Sequence, residues 1–418
     1  MRTVVVGGGL AGLAAALDLA DAGHSVTLVE ARRTLGGAVQ TLPERDGDPA
    51  PPPDNGQHIA LGACTEYLAF LRRIGQAGSV ARRPLALPVV DESGRVAILG
   101  AGAWRLLRYR HISLADRVAV ARVVRRLAAL DAAEHDGVTF ASLLRSLGQS
   151  DAAIDRFWDV FMRPALNVRS EEASAALALF TVRTGLLGPR GASDIVLPLA
   201  PLGAMHGDAA GRALAEAGAD IRLRARAAAI EPGAVVLADG ERLAADGVVV
   251  ALPPAESARL LGEEPPPLED SPIVSAHLLF DRPLLGSPYA ALLGSPAHWL
   301  FDRGRLTGSR PAAGQYLTVV SSGVPELVET RGRELVALLA GEVTARLGQA
   351  SLLWSRVSRE PAATFAGRPG TEAHRPGPET GLPGVLRAGA WTATGWPATM
   401  EGAIRSGRRA ARLLVDAA

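Results

Sequence analysis

Near its start the chain reads Gly7-Gly8-Gly9-Leu10-Ala11-Gly12, a run with the composition and spacing of a phosphate-binding turn. Gly7 permits a tight turn, Gly9 lets backbone approach a pyrophosphate, and Gly12 lets a helix pack closely on a strand. Glu30 ends the next apolar run, placed to accept from a ribose hydroxyl. A second glycine pair, Gly36-Gly37, predicts that backbone again passes close to the ligand, which FAD requires and a simple dehydrogenase does not. Asn55-Gly56-Gln57-His58 leads into apolar Ile59–Leu61 and reads as the wall of a cofactor or substrate site, or as an Asn-Gly turn. At the far end, Gly389-Ala390-Trp391 and then Pro397 to Gly402 read as strand, glycine, loop and a new helix N-terminus. Such a helix start suits the charge of a reduced flavin. Two helix starts at opposite ends of one chain fit a single long cofactor, FAD.

These residues need strands and helices to hold them. Residues 2–6, a helix to Ala22 and a run from Ser25 to Val29 make strand, helix, strand. Residues 246–252 (DGVVVAL) are apolar on both faces, as in a parallel sheet covered by helices. A helix from Cys64 to Ile74 and a hairpin over 89–100 follow the first unit. From Ala103 to Ala133 the pattern is helical and basic, with Arg105, Arg108, Arg110, Arg117, Arg122, Arg125 and Arg126 against Asp116. That is either a helical lobe with a solvated face or a surface for an anionic membrane. Helical texture continues to Arg163, where Pro164 interrupts it, and resumes over 170–187 with Ser170 as N-cap. Strands over 274–280, 299–301, 316–321 and 352–359, with a helix over 325–347, predict a mixed sheet. Residues 367–384 read as a linker. The fold class expected is α/β: a Rossmann-like FAD-binding domain of the glutathione-reductase type with a discontinuous mixed α+β substrate domain. The FAD-binding domain takes 1–85, 190–265 and 385–418. The substrate domain takes 86–189 and 266–384, with the lobe at 103–187.

Composition excludes several classes. The chain has 418 residues, 48% apolar and 21% charged, and a net charge of +1. It is globular, long enough for two domains, and gives no reason to expect nucleic acid. One cysteine, Cys64, rules out an intrachain disulfide and suits a reducing, cytoplasmic location. No signal peptide, transmembrane helix or metal site is expected. All 44 basic residues are arginine. With no lysine there is no Schiff-base chemistry and no P-loop lysine.

Four stretches, VVVGGGLAGLAAAL, DNGQHIALGACTEYLAFLRRIG, PALNVRSEEASAAL and TATGWPATMEGAIRSGRRAA, together resemble the FAD-dependent amine oxidase and phytoene desaturase superfamily. Within it they are most similar to the hydroxysqualene dehydroxylase family of hopanoid biosynthesis. The resemblance implies that Gly7, Gly9, Leu10, Ala11, Gly12, Glu30, Ala31, Arg32, Gly36 and Gly37 hold the ADP half of FAD, with Ala228 beside the adenine. It implies that Gly389, Ala390, Pro397, Met400 and Glu401 line the ribityl chain and flavin. Two positions depart from the family: Ala38 replaces an arginine after the paired glycines, and Ala390 replaces the aspartate of Gly-Asp-Trp. A hydrogen bond to a charged group is worth about 1.5–3 kcal/mol, so each change removes an anchor.

The implied reaction is hydroxysqualene plus reduced FAD giving squalene, water and oxidised FAD. It needs a dry apolar tunnel, a proton donor and electron-rich faces beside an allylic cation. His58, Asp54 and Glu401 are the candidate donors; Trp391 and Trp396 are the candidate faces, each with packing as the plainer role. Collecting so apolar a substrate implies contact with the inner face of the cell membrane through the basic lobe. The alternatives are a carotenoid desaturase or isomerase, an amine oxidase (disfavoured by the absence of lysine), and a flavin-binding scaffold without turnover. Nothing in the sequence sets the oligomeric state or the flavin reductant.

Overall fold

A computed structural model describes residues 1–417. Its organising sheet has five parallel strands drawn from distant parts of the chain: β1 (Arg2–Val6), β2 (Ser25–Glu30), β3 (Asp220–Leu223), β4 (Gly247–Val250) and β5 (Val385–Arg387). Their order across the sheet is β5-β4-β1-β2-β3. β4 is buried at every residue, as its apolar run predicts. Of the strand-like pieces over 220–238, the first joins this sheet. The other two pair as a hairpin with Arg242–Ala244 in a separate three-stranded sheet.

Three helices cover or close the sheet near the ligand-binding edge: α1 (Leu10–Asp21), α2 (Thr65–Arg73) and α3 (Met400–Asp416). α1 and α3 cross with no room for side chains. A Cβ on Gly407 would overlap the Ala11 carbonyl, and one on Gly12 would overlap the Gly7 carbonyl. The two ends of the chain are thereby fastened backbone to backbone.

The second sheet has seven strands in the order 352–365, 270–280, 315–322, 299–302, 289–292, 86–90 and 96–100. The strand Tyr289–Leu292 has no distinct sequence signal. It pairs parallel with Ala86–Val90 and antiparallel with Trp299–Asp302, joining the hairpin to the rest. One face meets the helical lobe in a core that includes Tyr109, Phe140, Trp158, Tyr289, Trp299 and Phe301.

Three sequence expectations need correction. Pro164 does not interrupt its helix, which runs from Asp159 to Leu166. Proline leaves the carbonyl four residues back without its helical donor; that carbonyl, Val160, instead accepts from the Trp299 indole N–H at 3.3 Å. The cap of the next helix (Ala175–Thr181) is Ser174, not Ser170. Glu171 and Glu172 pair with Arg145 and Arg368, holding residues 170–173 in a turn. Residues 325–347 form two helices, Pro325–Val328 and Gly332–Leu347.

Gly407→Ala is expected to lower unfolding free energy by about 1–3 kcal/mol, the usual range for overpacking. Gly341→Ala, in an exposed helix with nothing within 4 Å of the added methyl, is the control and gains up to about 1 kcal/mol. Urea unfolding of the two variants checks both signs.

Candidate functional site

The groove begins where β1 ends. Gly9 caps α1 without offering a side chain to its first N–H groups. Those donors and the positive end of the helix dipole stay open to an anion. Glu30, buried at the end of β2, accepts from the Gly8 N–H at 2.7 Å and the Arg32 N–H at 2.8 Å. Each carboxylate oxygen keeps a second lone-pair site for a ribose hydroxyl. Ala31, Arg32 and Ala228 are exposed.

The paired glycines have a reason beyond the ligand. Gly36 bridges Gly9, and a Cβ on Gly37 would stand 2.7 Å from the Gly9 Cα. The second glycine turn packs directly on the first. Arg32 reaches the Gly37 carbonyl at 3.4 Å, beside Ala38, where the resemblance expects an arginine.

With β4 between it and β1, and so about 10 Å from β1 by sheet spacing, β5 runs into Gly389. The N–H groups of Ala390 and Trp391 donate to no group among the described residues. Thr399 caps α3, accepting from the Gly402 N–H at 3.3 Å, which leaves the N–H groups of Met400 and Glu401 open. All five strands are parallel, so both sets of open donors lie at one edge, where ligands bind in such sheets. Two backbone donor clusters, an acid at the rim and glycine-only walls fit a long dinucleotide with a charged middle. Gly7, Gly9, Leu10, Ala11, Gly12, Glu30, Arg32 and Gly37 would hold one half of it. Gly389, Ala390, Trp391, Pro397 and Met400 would hold the other.

Between the halves lies the 55–58 segment, tied to the second glycine turn by Asn55 Nδ2 donating to the Ala38 carbonyl at 2.8 Å. The His58 ring makes no hydrogen bond among the described residues. It keeps partial solvent exposure. Enclosure by protein nevertheless lowers its pKa to about 4. At neutral pH it is therefore a neutral imidazole. Ile59, Phe161, Ala165 and Val320 are apolar, only partly buried, and packed against the lobe core.

The other proposed acids are occupied. Asp54 is in a buried ion pair with Arg303 at 2.6 Å, both side chains 2% exposed, and also accepts from the Thr41 hydroxyl and the Leu202 N–H. With Arg303 also donating to the Pro52 carbonyl at 2.7 Å, it pins the proline-rich loop over 43–54 to the short helix Arg303–Thr307. Glu401 accepts from the Glu66 and Tyr67 N–H groups at 3.2 and 2.7 Å, so it caps α2 rather than its own helix. It also pairs with Arg405 at 2.8 Å. Both carboxylates thus have their oxygens engaged by an arginine and by hydroxyl or backbone donors. The Trp391 indole donates to the Leu252 carbonyl at 3.0 Å and is a packing residue. The Trp396 ring lies 5.1 Å from Phe180 and carries the Arg405 guanidinium 4.9 Å above it. A cation of the chain's own already occupies that face.

Sequence reasoning missed Arg375, in the stretch read as a linker. That stretch contains the turn Thr371–His374, and the Arg375 side chain is fully buried. It donates to the carbonyls of Ala390, Trp391, Thr392 and Trp396 at 3.0, 3.4, 2.6 and 2.8 Å, and to the Glu372 carboxylate. Main-chain acceptors leave no trace in sequence, so no local signal marks it.

The profile of flavin containing amine oxidoreductases matches residues 10–415. The chain belongs to that family. It is an FAD-dependent oxidoreductase. Proteins named hydroxysqualene dehydroxylase from Sinorhizobium fredii and Rhodopseudomonas palustris are 30% and 31% identical to it, each over 99% of this chain and 98% of the relative. A protein named 15-cis-phytoene desaturase from Solanum lycopersicum is 26% identical over 100% of this chain and 78% of its own. The fold is shared with a putative protoporphyrinogen oxidase from Exiguobacterium, at 17% identity and a TM-score of 0.75, over 100% and 99% of the two chains. No helix among the described residues is long and apolar enough to cross a membrane.

Burial lowers the pKa of His58 and His206 to about 4, and of His277 and His298 to about 3. Below pH 6.5 the unfolded chain binds protons that the folded chain refuses. Stability should therefore be full above pH 6.5 and fall as pH drops toward 5, by up to about 1.4 kcal/mol per pH unit per histidine. Urea midpoints across that window check this, and His58→Gln should make the slope shallower by one proton.

Proposed function

We propose that this flavoenzyme reduces hydroxysqualene to squalene, releasing the hydroxyl as water. The observation that carries the reading is similarity over 99% of the chain to two proteins named for that activity. The chemistry of the site agrees with it. Reduced FAD, when bound as FADH2, would supply both the hydride and the proton that the products squalene and water require. The neutral imidazole of His58 can donate an N–H hydrogen bond to the leaving hydroxyl without adding a charge to a dry interior. Asp54 and Glu401, fixed by arginines, keep free acids away from an acid-sensitive polyene. Ile59, Phe161, Ala165 and Val320 give an isoprenoid chain an apolar bed, and exclude water from a cation that water would trap.

The substrate must come from a bilayer, and the lobe offers a surface for that. Trp104 is 64% and Leu114 62% exposed, with Leu107 and Val118 also exposed. Arg105, Arg108, Arg110, Arg122, Arg125 and Arg126 surround them in the chain and are exposed. Arg108 sits 4.5 Å over the Trp104 ring. Aromatic and aliphatic tips ringed by guanidinium groups match an anionic lipid interface.

A second reading, desaturation or isomerisation of a carotenoid, is favoured by the similarity to phytoene desaturase. It uses the same bed with hydride moving the other way.

Anaerobic incubation of the reduced holoenzyme with hydroxysqualene should yield squalene and reoxidise the flavin. Desaturation of phytoene by the oxidised holoenzyme, with no squalene formed, would overturn the first reading for the second. His58→Phe should lower kcat about 10-fold with FAD content unchanged, the scale of one lost hydrogen bond to the leaving hydroxyl. Wild-type protein should float with phosphatidylglycerol liposomes, and the Trp104→Ser, Leu114→Ser double variant should remain in the unbound fraction.

A further inference from the structure

We propose that Arg375 is the positioning residue of the flavin loop, replacing through the main chain the side-chain anchor that Ala390 lacks. The proposal rests on reading residues 389–402 as the flavin segment. Arg375 is buried without a fully buried counter-charge: its carboxylate partner, Glu372, is 30% exposed. A guanidinium taken out of water needs all its donors filled. Here the filling is done by the carbonyls of Ala390, Trp391, Thr392 and Trp396, with the Thr394 hydroxyl at 3.3 Å. The Phe365 ring lies 5.2 Å beneath the guanidinium.

This arrangement fixes where the loop's donors point. Peptide groups are trans, so a carbonyl turned toward Arg375 sends the following N–H the opposite way. The Ala390 carbonyl faces Arg375, so the Trp391 N–H is turned outward. It is one of the two donors in this turn with no partner in the chain. The Ala393 N–H donates to the Pro376 carbonyl at 2.9 Å. Pro376 is the next residue after Arg375, so the loop and its clamp are laced together twice. The open Trp391 N–H is thus an imposed direction, and a rigid donor costs less entropy on binding than one that must be ordered. An aspartate at 390 would contact the ligand directly. Arg375 acts from behind, by holding the backbone that does.

The test compares wild type with Arg375→Gln, Arg375→Lys and Arg375→Lys combined with Ala390→Asp. For each, FAD affinity is measured by flavin fluorescence, the bound flavin's reduction potential and visible spectrum are recorded, and unfolding of the FAD-free protein is followed. The glutamine variant should fold but bind FAD about 30-fold more weakly or worse, with a shifted potential and loss of fine structure in the flavin band. Lysine keeps the charge but cannot fork to four carbonyls, so it should bind about 10-fold more weakly than wild type. Adding aspartate at 390 should recover most of that loss. Unchanged affinity and potential in the glutamine and lysine variants would overturn the proposal, as would failure of both to fold without FAD, which would make Arg375 a packing residue. Wild type that takes up no FAD would instead defeat the flavin reading itself.

Discussion

Everything in this molecule depends on main chain meeting main chain with nothing between. Gly12 stands on the Gly7 carbonyl, Gly407 on the Ala11 carbonyl, and Gly37 on Gly9. At none of these contacts is there space for a methyl group. They let α1 sit low on β1, let α3 sit low on α1, and bring the second glycine turn onto the first. The five-stranded sheet then carries β1 and β5, nearly four hundred residues apart by sequence, with only β4 between them. The groove exists because those two strand ends face the same way at that spacing.

The parts legible in sequence were the parts whose physics is local. Glycine spacing, the acid at the end of β2 and the fully apolar β4 each follow from neighbours a few residues away, and the fold class and FAD followed from them. What escaped was set by partners far off in the chain. Asp54 looked like a free acid because Arg303 is 249 positions distant. Glu401 looked like a free acid at a helix start, yet it caps α2, whose N–H groups lie 334 and 335 positions away. Pro164 obeyed the rule that proline forfeits a helical hydrogen bond, but Trp299 met the freed carbonyl, so the helix survived. Ser170 and Ser174 are equally good caps by type. The Glu171 and Glu172 ion pairs decided between them.

The interior that results is electrostatically quiet. Its histidines are held neutral by burial and its carboxylates are matched by arginines. Arginine suits this work better than lysine, since its planar fork satisfies two acceptors at once and stays charged when buried. A chain with no lysine at all thus still builds buried ion pairs, Arg303 with Asp54 and Arg356 with Asp48. Whatever chemistry occurs beside His58 takes place beside imidazoles that burial keeps neutral at physiological pH.

Arg375 has one more consequence, for how this loop can vary over time. Its contacts to residues 390–396 are nearly all to carbonyl oxygens, which every amino acid carries. The guanidinium is therefore blind to the side chains of most of the loop it holds. Side chains there can drift without loosening the scaffold, as the alanine at 390 illustrates, while the arginine itself is not free to change. A position buried in a stretch of glycine and proline thereby bears the constraint, and its neighbours across the groove are released to explore new ligands.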